Sequence, residues 1–72
     1  MLLPEEKLVS ITIYEVTGRN IRTLMNNVQT SGYHSIDWDA KNDIGEGVAA
    51  GMYIYTIQAG EFRATRKMVL LK

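Results

Sequence analysis

Apolar and polar residues alternate along much of this chain, and the alternation has a period of two. From Leu8 to Val16, the residues Val9, Ile11 and Ile13 fall on one face and Ser10, Thr12 and Tyr14 on the other. The β-branched side chains in this run favour a strand. Thr17-Gly18-Arg19-Asn20 follows as a turn, with Gly18 suited to positive φ. In the segment Ile21 to Val28 the apolar residues Ile21, Leu24 and Val28 are spaced by three and four, which is a helical period. Asn26-Asn27 and the β-branched ends argue instead for a strand carrying a bulge, and a strand is the expectation. Gln29-Thr30-Ser31-Gly32 reads as the next turn. Tyr33 to Trp38 reads as a strand with His34, Ile36 and Trp38 on one face. Asp39 to Gly47 is a polar loop, and Val48-Ala49-Ala50 a short extended segment leading to Gly51.

The last third, Gly51 to Lys72, reads as a β-hairpin. Tyr53, Tyr55 and Ile57 alternate on its first strand, Ala59-Gly60-Glu61 turns the chain, and Phe62 opens a strand that runs to the end. On that strand Phe62, Ala64, Met68 and Leu70 share one phase, which Arg66 interrupts, and Thr65, Lys67, Val69 and Leu71 share the other. A slip or bulge near Arg66-Lys67 would reconcile the two phases. The Phe62 half is then expected to be structural, and the Lys67–Lys72 half to be an edge strand, apolar on both faces and open to a partner. In all, about five or six short strands with turn residues every 8–12 positions, and no convincing helix, predict an all-β chain: a small sandwich or barrel.

Composition narrows the function. Seventy-two residues make one domain, spanning 1–72, whose small core excludes only about 60% of the unfolded surface from water. There is no cysteine, hence neither a disulfide nor a thiolate. Eight Lys and Arg balance eight Asp and Glu, so the chain as a whole has no electrostatic footprint for nucleic acid or an anionic membrane. Met68 to Leu71 is an apolar run of four residues, against the ~20 that span a bilayer. The opening Met-Leu-Leu-Pro-Glu-Glu has no basic and apolar signal-peptide regions, so export would depend on an upstream segment or on the C-terminus.

The residues do not assemble a catalytic set. His34 and Ser35 are adjacent, and adjacent strand residues point to opposite faces, so they cannot pair as base and nucleophile. Asp37, Asp39 and Asp43 resemble the start of a calcium loop, but Lys41 stands where an oxygen ligand is needed and the glycine at the sixth position is missing. The loop reads better as turn chemistry, with Asx side chains accepting from backbone donors. The carboxylates Glu5, Glu6, Glu15, Glu46 and Glu61 lie at a terminus, strand ends or turns, and the glycines are spread one to a turn with no phosphate-cradling loop among them. Neither a cofactor nor a metal is expected, and the aromatics follow a core period with no exposed platform for nucleic acid or sugar.

An ordered set of motifs does carry a resemblance. Ile11-Thr12-Ile13-Tyr14-Glu15-Val16-Thr17-Gly18-Arg19 resembles an "hxIYDxxGR" strand and turn. Gly32-Tyr33-His34 with Ile36-Asp37-Trp38-Asp39 is similar to a "GxHxxxWD" segment, and Asn42 to Gly45 to the Asp/Asn-Gly loop after it. Val48 to Tyr55 resembles "hxxGhYxY", and Lys67 to Lys72 a closing "KMhhhK". Together, across residues 8 to 72, they resemble the type A C-terminal sorting domain of the type IX secretion system, a relative of the immunoglobulin-like domain of the flagellar hook-capping protein. The resemblance implies an immunoglobulin-like β-sandwich at the end of a larger exported bacterial protein, without catalytic residues. Its partners would be the outer-membrane secretion machinery and the cargo domain upstream, and its destination the cell surface or the medium by way of the periplasm. Carried over by position, the sorting signal would comprise Gly51, Tyr53, Lys67, Met68, Val69, Leu70, Leu71 and Lys72. A structural spacer or assembly scaffold like that of the hook-capping protein is the alternative.

Two departures from the pattern bear on the structure. The family opens with an Asn-Pro-rich segment and a first strand, of which residues 1–7, with Leu2-Leu3-Pro4, look like a remnant. A missing first strand would leave an open sheet edge, repaired by dimerisation or by strand exchange between copies. The family also favours Gly where Ala40 stands, so the turn after Trp38-Asp39 is expected to differ.

Overall fold

The structure, a computed structural model, describes residues 2–35 and 37–71. Six strands form two antiparallel sheets: β1 (Leu2–Leu3), β2 (Lys7–Glu15), β3 (Asn20–Gln29), β4 (Gly32–Tyr33), β5 (Gly51–Ala59) and β6 (Phe62–Leu70). The larger sheet has the order β3-β2-β5-β6, and the smaller pairs β1 with β4. The smaller sheet and the crossing segment 34–50 cover the inner face of the larger one, which makes the expected small β-sandwich. Leu3 of β1 is buried with Val9, Ile11 and Ala59, while Trp38 and Val48 pack against Ile13, Ile21 and Tyr53.

The period-two pattern sets the core. Val9, Ile11 and Ile13 of β2 are all buried, with Ser10, Thr12 and Tyr14 half-buried on the other face. The spacing of Ile21 and Leu24 in β3 comes from irregular pairing, whereas Val28 stands opposite Leu8 on the outer face and is exposed. The β2–β3 register shifts between Ile11/Thr12 and again between Ile13/Tyr14, and Leu24 and Ile21 lie in the shifted stretches. Each shift inserts a residue, so Met25, Leu24 and Ile21 all reach the core from one strand. β3 is therefore the bulged strand expected, and the bulges explain the spacing of Ile21 and Leu24.

Three expectations need correction. Among the described residues of the predicted Tyr33–Trp38 strand only Tyr33 is paired, opposite Leu2 of the two-residue β1, whose other residue, Leu3, pairs with Gly32. Ile36, expected on that strand's inner face, lies outside the described residues. The β5–β6 ladder has no slip near Arg66-Lys67: its register runs unbroken from Gly51↔Leu70 to Ala59↔Phe62. Arg66 therefore keeps the phase of Tyr55 and Met68, and its side chain still reaches water because, among the described residues, nothing pairs beyond β6. The turn at Ala40 keeps the geometry a glycine would give, since Ala40 has φ 62°. An alanine there costs on the order of 1 kcal/mol relative to a right-handed conformation.

Candidate functional site: the edge strand β6

The sheet has two edges, and they are finished differently. At the β3 edge the loop after Trp38 is fastened on. Asp43 donates its N–H to the Ile21 carbonyl at 3.1 Å, and its carboxylate accepts from the Thr23 N–H at 3.0 Å. Arg22 Nη1 donates to Asp39 at 3.0 Å and to the Lys41 carbonyl at 3.2 Å. These bonds satisfy outward backbone groups of the bulged edge and leave little of that stretch for another strand.

The acidic loop itself is held by turn chemistry, as its Asx residues predict. Asn42 Oδ1 accepts from the Ile44 and Glu46 N–H groups, and Asp39 Oδ1 from the Lys41 N–H. Trp38 Nε1 donates to the Lys41 carbonyl at 2.9 Å, which ties the loop to the core. The Asp39 and Asp43 carboxylates are thus engaged with Arg22 and backbone donors. His34 stands apart from Ser35 chemistry: its Nε2 donates to the Thr30 carbonyl at 2.6 Å.

The β6 edge has no such cover among the described residues. β6 pairs with β5 alone, and its nine residues run the length of the sheet. Its faces divide the predicted sorting residues into two groups. Met68 and Leu70 point inward and are half-buried against the Ile13, Ile21 and Tyr53 cluster. Val69 and Leu71 point outward and are 63% and 84% exposed. Lys67, opposite Ile54, shares the outer face with Val69. This half of the strand is therefore the part anchored to the core. The Phe62 half, expected to be the structural one, is the more exposed, with Phe62 61% exposed and Arg63, Thr65 and Arg66 in water. Lys72 lies outside the described residues.

The β5 members of the set support this strand from behind. Tyr53, opposite Met68, is buried; its hydroxyl donates to the Ala49 carbonyl at 2.6 Å, and its ring meets Trp38 edge-on at 5.4 Å. It holds the core under Met68 and is not itself open to a partner. Gly51, opposite Leu70, has φ 149° and open space where a Cβ would go. Gly51→Ala is therefore expected to cost about 1–3 kcal/mol through backbone strain alone, read as a lowered urea midpoint. The end of the ladder, at Leu70, should fray first.

A cleft of about 440 Å³ lies on the larger sheet, lined by Ile11, Met25, Ile57 and Met68 from its strands and by His34, Asp37 and Trp38 from the crossing segment. Among the described residues, Asp, Glu, Cys and His do not gather into a group that could hold a metal ion.

One signal was present in the sequence and hidden by its overall neutrality. Of the eight cations and eight acids, four cations and no acid lie beyond Glu61. The chain ahead of β6 is thus net acidic by four charges, and the last strand is purely basic.

No curated protein and no solved structure matches this chain. The family of FlgD Ig-like domains matches residues 2–61, which takes in β1 to β5 and the turn into β6. The paired sheets, the buried Val9-Ile11-Ile13 face and this match agree, and the chain belongs to the FlgD Ig-like domain family.

Proposed function

We propose that this domain is a non-catalytic secretion-targeting module of a larger exported bacterial protein, read by outer-membrane translocation machinery through β6. The observation that carries the reading is the contrast between the two sheet edges. The β3 edge is fastened to the loop at residues 21–23 through Asp43 and Arg22, whereas among the described residues nothing pairs with the outer edge of β6, which presents Val69 and Leu71 beside it. An edge strand of this kind offers backbone donors and acceptors for strand addition and alternate side chains for selectivity. Met68 and Leu70 would keep the strand in place while Val69, Leu71 and Lys67 meet the partner.

Family membership favours a second reading, a structural spacer or assembly scaffold in which β6 only closes the sheet. One fusion separates them. Residues 1–72 are joined to the C-terminus of a periplasmic reporter in a bacterium that carries type IX machinery. Targeting predicts reporter at the cell surface or in the medium. A folded fusion that stays in the periplasm contradicts targeting and leaves the scaffold.

A further inference from the structure

We propose that the free edge of β6 accepts an extended, Asp- and Glu-rich segment of a partner protein as a fifth strand of the larger sheet. The inference rests on the reading of β6 as the recognition edge and adds the chemistry of what it recognises. β6 carries Arg63, Arg66 and Lys67 and no acid. Their cross-strand neighbours on β5 are Gln58, Tyr55 and Ile54, so the adjoining strand neutralises none of them. Among the described residues the ion pairs are Lys7–Glu5 and Arg22–Asp39, and neither includes a β6 residue. Among the described residues Arg66 Nη1 donates to the carbonyl of Thr65 and to no carboxylate.

The placement of these charges favours a strand over other anionic partners. Arg63 and Lys67 lie on the outer face with Thr65 and Val69, and Arg66 on the inner face with Tyr55. A flat anionic surface would meet one face only. An added strand puts alternate side chains on both faces, so its acids can stand opposite all three cations. A second copy of this chain is a poor occupant. Pairing β6 with β6 brings two basic strands into one ribbon without a single acid, and β3, the other edge, also has none. Cations on an edge strand thus block self-pairing and select an acidic partner at once. Nine residues extend about 30 Å, so the matching segment is about nine residues long.

The test uses two synthetic ten-residue peptides of Thr, Val and Glu, identical except that the control carries Gln for every Glu. Amide shifts and hydrogen exchange of the domain are followed by NMR. The Glu peptide is expected to slow exchange at β6 amides that point away from β5, with an affinity that falls as salt rises. The Gln peptide should bind on the order of tenfold more weakly, and Arg63→Gln with Lys67→Gln should cost the Glu peptide a similar factor. Both variants lie at exposed positions, and an unchanged spectrum confirms their fold. Equal binding of the two peptides at β6 would overturn the acidic preference while leaving the edge as the recognition element. Absence of β6 protection with either peptide would overturn both. Self-association that protects β6, or binding to phosphatidylglycerol vesicles without protection of the edge amides, would also overturn the proposal.

Discussion

Ile13→Ala is expected to remove about 2–5 kcal/mol of stability, measured by urea unfolding followed through Trp38 fluorescence. Ile13 sits at the centre of β2, flanked by β3 and β5, and is 1% exposed. It packs with Ile21 and Tyr53, and Leu24, Trp38, Tyr55, Met68 and Leu70 close around that cluster. Truncation leaves a void that rigid neighbours on two strands cannot fill, so the lost transfer free energy and the cavity add together. A domain of this length has about 4–11 kcal/mol in all, at 0.05–0.15 kcal/mol per residue, so one side chain carries a large fraction of it. Ile13→Val should cost only about 1 kcal/mol. Ile44, 78% exposed in the loop, is the control: Ile44→Ala should stay within about 0.5 kcal/mol of the parent. A loss below 1 kcal/mol for Ile13→Ala would mean that the core is centred elsewhere.

The consequence reaches β6. Met68 and Leu70 pack on the same cluster, so a weakened core would loosen the strand that is proposed to meet a partner. Conversely, deleting residues 67–72 would strip the inward apolar residues along with the outward ones. A secretion defect from such a deletion would mix unfolding with loss of recognition. Substitutions at Val69 and Leu71 avoid this, because both side chains stand on the solvent side.

Local patterning made part of this molecule readable and long-range pairing decided the rest. The Val9-Ile11-Ile13 face and the Gly60 hairpin follow from period two and a turn glycine, and both are local. The bulged β3 was readable because Ile21 and Leu24 broke the alternation while Asn26-Asn27 argued against a helix. Residues 34–38 carried strand-like alternation, but a strand needs a neighbour, and β1 supplies only two residues of one. Arg66 looked like a register error because a cation in a core phase is costly; at a sheet edge its side chain simply bends into water. The clamp of Asp43 on β3 joins residues twenty apart and leaves no mark in any single window. Of the site, the outward apolar pair and the edge position were expected, whereas the burial of Tyr53 depended on Trp38 crossing over it. The segregation of charge was written in the sequence, but a net charge of zero concealed it.

The central claim is that the outer face and free edge of β6 are read by a partner, and its second large effect follows from that. Val69→Asp with Leu71→Asp places two carboxylates where the proposed contact is made, yet touches no core side chain. A matched control exists on the same outer face at the other end of the sheet. Leu8 and Val28 face each other across β2 and β3 and are 59% and 58% exposed. Their double change to Asp alters the same kind of surface by the same chemistry, at the opposite end of the sheet from Val69 and Leu71. Each pair is introduced into the full-length parent protein, and the secreted fraction is measured beside the urea midpoint of the isolated domain. The account predicts that Val69→Asp/Leu71→Asp reduces secretion at least tenfold with a midpoint close to that of the Leu8→Asp/Val28→Asp control, which is secreted normally. Normal secretion of the Val69→Asp/Leu71→Asp protein would contradict it.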